Sequence, residues 1–307
     1  MEFKLLRSFI EVVRQGSFSK AAETLFATQS TVSKAIKQLE DELGVPLIDR
    51  FKKRNVPTAA GEIVYRRGVK LLADRDDLIK ELAAIRGLKQ GHLRLGIAPV
   101  GSSTLFAPLF AEYNQRYPGI EVELIEHGSI KLAECLRAGE IDFAGTLLSV
   151  AEEFDCQLIR SEPLVALLAS VHPLANRHTI SFLELKETPF ILFSRDFALY
   201  RMILDAGHRA GFEPKVVAQT SQIDFMVELV SAGLGVAFLP RMIAYERLNP
   251  QVRFALLEGD EFQWDMAMTW RHDAYLSDAA KAWLALVREV HGEPQKSMQN
   301  QLDAGPK

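Results

Sequence analysis

Cysteine is nearly absent from this chain of 307 residues, occurring only at Cys135 and Cys156. Two thiols in a chain this long build no disulfide framework, and neither has the spacing of a zinc site. Both are expected to be reduced and buried. Long hydrophobic runs are also missing. Although 48% of the residues are hydrophobic, no stretch is long and apolar enough to span a bilayer. The segment from Met1 to Lys20 spreads charges among its apolar residues, so it lacks the uninterrupted apolar core of a signal peptide. The expectation is a cytoplasmic protein with no membrane partner. Catalytic signatures are absent too. There is no Gly-x-Ser-x-Gly elbow and no phosphate loop ending in Gly-Lys-Ser/Thr, and the seven histidines are scattered without a pair at ligand spacing. Gly233-Leu234-Gly235 begins like a dinucleotide loop, but Val236, Ala237 and Phe238 follow and the third glycine is missing. No catalytic residue, no metal site and no cofactor are therefore expected. Internal repeats and low-complexity blocks are absent as well.

A uniform coat of positive charge is excluded by the net charge of -4, but the charge is unevenly placed. Residues 1–58 hold ten Lys/Arg against seven Asp/Glu, and the remainder holds 26 against 33. Nucleic acid needs a local basic face, and the positive charge lies at the front. The length suggests two or three compact units, each able to bury its own core.

Up to Leu43 the pattern is helical. Leu5, Phe9, Val12 and Val13 recur at helical spacing until Gly16. A short second helix runs through Lys20, Ala21, Ala22 and Leu25, opened by Ser17 or Ser19, and Phe26-Ala27 makes a brief turn. Thr28 suits the N-cap of a third helix with Val32, Ile36, Leu39 and Leu43 on its buried face and a stop at Gly44. Two extended pieces around the basic tip Lys52-Lys53-Arg54 follow. Thr58 would then cap a proline-free helix from about Ala59 to Arg86, roughly 42 Å long at ~1.5 Å per residue. Val64, Leu71, Leu78 and Ile85 repeat every seven residues, a coiled-coil-like seam made imperfect by Gly68 and Arg75. The stripe needs a partner, either a second copy of itself or its own C-terminal domain.

Residues 87–91 read as a hinge. Beyond it strands and helices alternate, the mark of an α/β domain with a largely parallel sheet. Strands are expected at His92–Ala98, Ile120–His127, Ile141–Gly145, Leu164–Ala169, Phe190–Phe193, Lys215–Ala218, Gly233–Leu239 and Trp264–Trp270. Helices are expected at Thr104–Arg116, Ile130–Ala138, Phe197–Ala210, Ile223–Ala232 and Asp278–His291. The expected division is 1–58, 59–91, 92–292 and a polar, disordered tail at 293–307.

A helix, a short helix, a tight turn and a helix make the helix-turn-helix pattern, with Ala21 and Ala22 small where helices cross. Between its buried positions the third helix presents Gln29, Ser30, Thr31, Ser33, Lys34 and Lys37, with no acid before Glu40. Such groups hydrogen-bond base edges or phosphates: Gln29 suits adenine, Lys34 guanine or phosphate. Ser17, Ser19 and Lys20 are placed for phosphate, and Lys52, Lys53 and Arg54 for backbone or a neighbouring groove. The plainer alternative for each is a solvated polar face. For the whole chain it is a metabolite-binding protein or enzyme whose N-terminal helices serve only in assembly.

The segment Phe9…Val12…Gly16-Ser17-Phe18-Ser19…Ala21-Ala22…Leu25…Thr28-Gln29-Ser30…Val32-Ser33…Ile36…Leu39-Glu40…Leu43-Gly44…Leu47…Arg50…Thr58…Ala60-Gly61 closely resembles the N-terminus of LysR-type transcriptional regulators. His172-Pro173-Leu174-Ala175 and Gly233-Leu234-Gly235-Val236…Leu239-Pro240 resemble landmarks of the family's effector domain. Three positions depart from the family pattern. Ser30 and Thr31 stand where proline and alanine are usual, and Pro57 replaces the more usual leucine.

The resemblance implies a winged helix-turn-helix, a long linker helix and a two-lobed periplasmic-binding-protein-like α/β effector domain. It also implies double-stranded DNA with an interrupted inverted repeat, a small-molecule effector, RNA polymerase, and self-association as a dimer or tetramer. In a bacterial cell such a regulator works on the nucleoid. The effector would lie between the lobes at strand C-termini and helix N-termini, where free N–H groups attract anions. The residues placed there are Pro99, Gly101, Ser102, Ser103, Gly128, Ser129 and Thr146 from one lobe, and Ser194, Arg195, Phe197, Ser221 and Gln222 from the other. Hydroxyls with one arginine suggest a carboxylate or another anion. The alternative is that they are ordinary helix caps.

Overall fold

The computed structural model describes residues 2–49, 55–85, 91–147, 153–247 and 249–291, the side chains of 83–85 excepted. The chain divides into two compact units with the main boundary between residues 87 and 88.

In the first unit α1 (Phe3–Gln15) closes at Gly16. Next, α2 (Phe18–Thr24) is opened by Ser17, whose hydroxyl accepts the Lys20 N–H at 3.4 Å. Thr28 opens α3 (Gln29–Leu43) by accepting the Thr31 N–H at 3.2 Å. Caps of this kind satisfy N–H groups that the first helical turn leaves without partners. Strands β1 (Ile48–Asp49) and β2 (Val56–Pro57) pair antiparallel as a small wing. The wing tip with Lys52, Lys53 and Arg54 lies outside the described residues. Glu40 Oε1 accepts both the Leu47 and Ile48 N–H groups, at 2.8 and 3.2 Å, and so ties α3 to the wing. The long α4 (Ala59–Ile85) starts where Thr58 accepts the Gly61 N–H at 3.0 Å and donates to the Pro46 carbonyl at 2.7 Å.

Val32, Ile36 and Leu39 of α3 are fully buried with Leu6, Phe9, Ile10, Ala21 and Leu47. Each large aliphatic there contributes roughly 1.5–3 kcal/mol. Two glycines press α4 onto this core. A Cβ at Gly61 would overlap the Leu47 carbonyl oxygen, and one at Gly68 would stand 2.6 Å from the Leu6 side chain. That approach turns Val64, Val69 and Leu72 inward. Val64 therefore faces its own unit, not a seam, which corrects the heptad reading at that position. Leu71 and Leu78 remain exposed, and Ile63, Ile79 and Leu82 join them as exposed apolar side chains. The Ile85 side chain lies outside the described residues, as do residue 86, residues 87–90 of the expected hinge and the tail at 293–307.

The second unit opens with β3 (Gly91–Ile97), a π-helical turn (Ser102–Phe106), α5 (Ala107–Arg116), β4 (Ile120–Glu126), α6 (Ser129–Arg137) and β5 (Phe143–Leu147). Then come β6 (Phe154–Ala169), β7 (Thr179–Ile180), β8 (Phe190–Phe193), α7 (Ala198–Arg209), β9 (Val216–Thr220) and α8 (Ile223–Ser231). It ends with β10 (Ala237–Pro240), α9 (Arg241–Tyr245), β11 (Val252–Leu257), β12 (Gln263–Arg271) and α10 (Asp278–His291). In the main sheet the order is β4-β3-β5-β12-β6-β11-β7, with β10 also on β6. Strand β3 runs parallel to β4 and β5, and β8 parallel to β9. Strands β6 and β12 are antiparallel to their neighbours β5, β10 and β11 and to each other. The sheet is thus mixed, a correction to the largely parallel expectation.

The long β6 joins two lobes. Residues 154–163 pair with β12, and residues 164–169 pair with β10 and β11. Pro163 marks the change of partner, where a missing N–H is tolerated. One lobe packs Tyr113 edge-on against Trp283, with centroids 5.2 Å apart, and the Tyr113 hydroxyl donates to the Ala279 carbonyl at 2.8 Å. The other packs Phe182 against Phe190, Phe212, Phe238 and Phe262. The expected strand at Gly233–Leu239 begins only at Ala237, because Gly233 and Leu234 close α8 in a turn onto the Val230 and Leu229 carbonyls.

Candidate nucleic-acid interface and effector cleft

Burial sorts the residues of α3. Gln29, Ser30, Thr31, Lys34 and Lys37 are exposed and Ser33 is half-buried, while Val32, Ile36 and Leu39 anchor the opposite face. Helical periodicity forces this division, so six candidate contact residues share the outward side of one helix. The hydroxyls at its start have local work as well. Thr28 Oγ1 lies 2.9 Å from Ser30 Oγ and 2.8 Å from Thr31 Oγ1, a cap network made possible by the two hydroxyls. Ser19 Oγ donates to Gln29 Oε1 at 3.4 Å, so α2 and α3 present their polar ends together. Ser17 serves as a cap, Ser19 and Lys20 are exposed beside it, and all three stand at the N-terminus of α2. Partial positive charge and free N–H groups at that end suit a phosphate.

The second unit brings the predicted effector segments together only in part. Ser129 and Phe197 line a small cavity with Val100, Leu199, Trp264 and Met266. Its volume is about 10 Å³, room for about one water. Leu147 also lines it, and Thr146 beside Leu147 has a fully enclosed hydroxyl with no hydrogen-bond partner among the described residues. Ser102 donates its hydroxyl to the Pro99 carbonyl at 3.0 Å. Gly101 lies against Trp264, where a Cβ would stand 2.8 Å from the indole. The lobes meet at two further places. A Cβ at Gly128 would be 2.5 Å from the Asp196 carbonyl oxygen, and Thr104 Oγ1 donates to Glu246 Oε2 at 2.8 Å. Phe197 stacks on Phe193 at 5.1 Å. Ser194 is half-buried, and its N–H donates to the Thr220 carbonyl at 3.1 Å. Ser103, Arg195, Ser221 and Gln222 are exposed and do not line the cavity.

Trp264, Met266, Leu147 and Leu199 were not among the predicted lining residues. The signal that could have found Trp264 and Met266 is the alternation along the expected strand Trp264–Trp270, which puts the two on one face. Neither thiol has the environment of a reactive cysteine. Cys135 is buried as expected, whereas Cys156 is only half-buried, a correction to that expectation; burial first, then the Asp155 charge, push the Cys156 thiol up. Among the described residues no group of three or more His, Cys, Asp or Glu could hold a metal ion, and no helix is long and apolar enough to cross a membrane.

Residues 3–62 match the family model described as bacterial regulatory helix-turn-helix protein, lysR family, and residues 86–292 match the LysR substrate binding domain. The chain is 36% identical over 298 residues to YwbI of Bacillus subtilis (strain 168), an uncharacterized HTH-type transcriptional regulator, covering 96% of this chain and 99% of that protein. It is 32% identical over 282 residues to the HTH-type transcriptional regulator AlsR of the same organism, covering 89% and 91% of the two chains. Among solved structures, full-length BenM is similar in fold, with a TM-score of 0.60 at 24% identity over 96% of this chain and 100% of that one.

Proposed function

Because this chain belongs to the LysR family of transcriptional regulators, a family of DNA-binding regulators and not of enzymes, we propose a specific division of labour among its residues. The outward face of α3 enters the major groove, with Gln29, Ser30, Thr31, Ser33, Lys34 and Lys37 toward base edges and flanking phosphates. Ser17, Ser19 and Lys20 sit on phosphate, and Lys52, Lys53 and Arg54 reach the backbone beside the groove. The observation that carries this is the sorting of α3 into a buried apolar stripe and an exposed polar one with no acid before Glu40. A bidentate base contact on such a helix discriminates by about 1–3 kcal/mol.

Two copies pair along the exposed stripe of α4 that contains Leu71 and Leu78, giving at least a dimer on an interrupted inverted repeat. Paired effector units would make it a tetramer. The regulator acts in the bacterial cytoplasm, on nucleoid DNA, and through RNA polymerase. The effector is a small molecule with an apolar body, to suit Trp264, Met266 and Phe197, and an anionic or strongly polar group at Ser129, where α6 begins. A cavity of about 10 Å³ cannot admit it with the lobes as they stand. Entry therefore separates the Thr104–Glu246 and Gly128–Asp196 contacts. The coupling to DNA is limited by the effector's differential affinity for the two lobe arrangements.

The test is selection of bound duplexes from a random DNA pool with the full chain at near-physiological salt. An interrupted dyad is expected, held more tightly than bulk DNA. Recovery of only salt-sensitive, nonspecific binding, with or without candidate effectors, would favour the assembly role for the N-terminal helices.

A further inference from the structure

Phe26 is not explained by the packing of the unit that carries it. It lies in the turn between α2 and α3 with φ 50, the one residue other than glycine at positive φ among the described residues. Its side chain is 99% exposed. Left-handed backbone is unfavourable for a residue with a bulky side chain, and glycine or asparagine fills such turns at lower cost. A fully exposed ring recovers nothing through burial. The left-handed turn itself serves α2 as a cap, with the Phe26 and Ala27 N–H groups closing onto the Glu23 and Ala22 carbonyls at 3.1 and 2.9 Å. The cap does not call for a bulky exposed ring, and that ring points to a contact outside the chain.

The surroundings indicate which contact. Phe26 borders a groove of about 600 Å³ between the start of α1 and α3, with Lys4, Arg7, Thr31, Lys34 and Gln38 on its walls. Three lining side chains are basic, and Glu2 is the only acid among the described lining residues. The excess of positive charge, beside apolar Leu5, Leu25, Val32 and Ala35, favours an occupant that is anionic and also offers an apolar face. It must also lie against the outward face of α3, because Thr31 and Lys34 belong to both surfaces. We propose that this groove takes one strand of the duplex, with Lys4 and Arg7 on its phosphates and the Phe26 ring on deoxyribose and a thymine methyl at the edge of the recognised site. Phenylalanine is among the side chains suited to the thymine methyl, and the basic pair supplies the sequence-independent part of the affinity. The proposal rests on the DNA-binding reading and extends it to three residues outside the polar face of α3.

The test uses the full chain and the duplex recovered by selection, with affinities measured at several salt concentrations. Phe26→Asn places a residue suited to left-handed backbone in the turn, so its melting temperature should equal or exceed that of the parent chain. Its binding should weaken about tenfold at every salt concentration with the salt slope unchanged. Replacing the edge thymines by uracil should weaken the parent chain and leave Phe26→Asn unaffected. Lys4→Ala and Arg7→Ala should each make the salt slope shallower by about 0.9. Binding by a folded Phe26→Asn within twofold of the parent, or slopes unchanged by both basic variants, overturns the proposal. So does a changed mass in sedimentation of Phe26→Asn, which would assign the ring to self-association. If the parent chain selects no duplex, the DNA-binding reading fails and this inference fails with it. If the parent selects and Phe26→Asn binds equally, only the inference fails.

Discussion

In the DNA-binding unit the buried side chains sit on short helices that carry their own start and stop signals. Ser17 and Thr28 open α2 and α3, and Gly16 and Gly44 close α1 and α3. In the effector-binding unit the interior depends on β6 and β12, which meet only after about a hundred intervening residues and then pair from Phe154 to Pro163. The first unit is specified locally; the second is completed by a long-range closure. Local closure costs less chain entropy and is expected to form earlier. A unit finished by two long strands also gains a place to bend, because β6 changes partners at Pro163, between its lobes.

Removing the shared floor should break this contrast most strongly. Trp264 on β12 is 1% exposed and touches both the Gly101 loop and the cavity. Trp264→Ala should cost the effector-binding unit about 3–5 kcal/mol. Calorimetry should register this as a lowered transition of that unit, with the DNA-binding unit's transition unmoved. Loss of both together would mean that the two units do not melt independently.

The complementary change is Gly61→Ala, which forces a methyl onto the Leu47 carbonyl. Overpacking of this kind costs about 1–3 kcal/mol. It should weaken DNA binding and leave the effector-binding unit's transition in place, and normal melting and normal DNA affinity would show that α4 is not held there.

The smallest effect should be in the pH dependence. Burial first, then the Arg160 charge, hold His291 below the usual histidine range. The unfolded chain therefore takes up a proton there before the folded unit does, and stability falls as pH drops through about 6.5. His272 works in the opposite sense. Its hydrogen bond with Asp155, at 2.9 Å, raises it, so its contribution is present at low pH and lost as pH rises, although its exposure keeps the effect small. In His291→Gln the melting temperature of the effector-binding unit should fall less between pH 7.5 and about 5.5 than in the parent. An unchanged slope would place the acid sensitivity elsewhere.

How much was legible in the sequence follows the same contrast. The helix-turn-helix, its caps and most of its buried face could be read from residue spacing, because each depends on neighbours within a few turns; Leu43, expected on that face, is exposed instead, since it lies in the last turn of α3 before Gly44. The closing helix Asp278–His291 could be read for the same reason. Most of β6 could not. Phe154–Pro163 is polar, charged and ends in proline, and only its pairing with β12 makes it a strand. Strand β11, with α9 before it, was missed on similar grounds, since β11 is held by β6 and β7. The candidate cleft was read from its serines and threonines, which mark helix starts. Its floor was not, because apolar residues at core spacing give no sign of lining a cavity. Val64 shows the limit of periodicity: the heptad is present, but Gly68 lets α1 claim that side of the helix.

The close seating of α4 has a mechanical consequence. With Gly61 against the wing and Gly68 against α1, the helix and the reading head turn as one rigid piece. A helix of 27 residues reaches about 40 Å at ~1.5 Å per residue, so one degree of rotation at the head corresponds to about 0.7 Å of travel at the far end. A sideways shift of a few ångströms there would swing α3 by several degrees. The linker helix would therefore work as a lever arm with its fulcrum where Gly61 and Gly68 seat it on the wing and on α1.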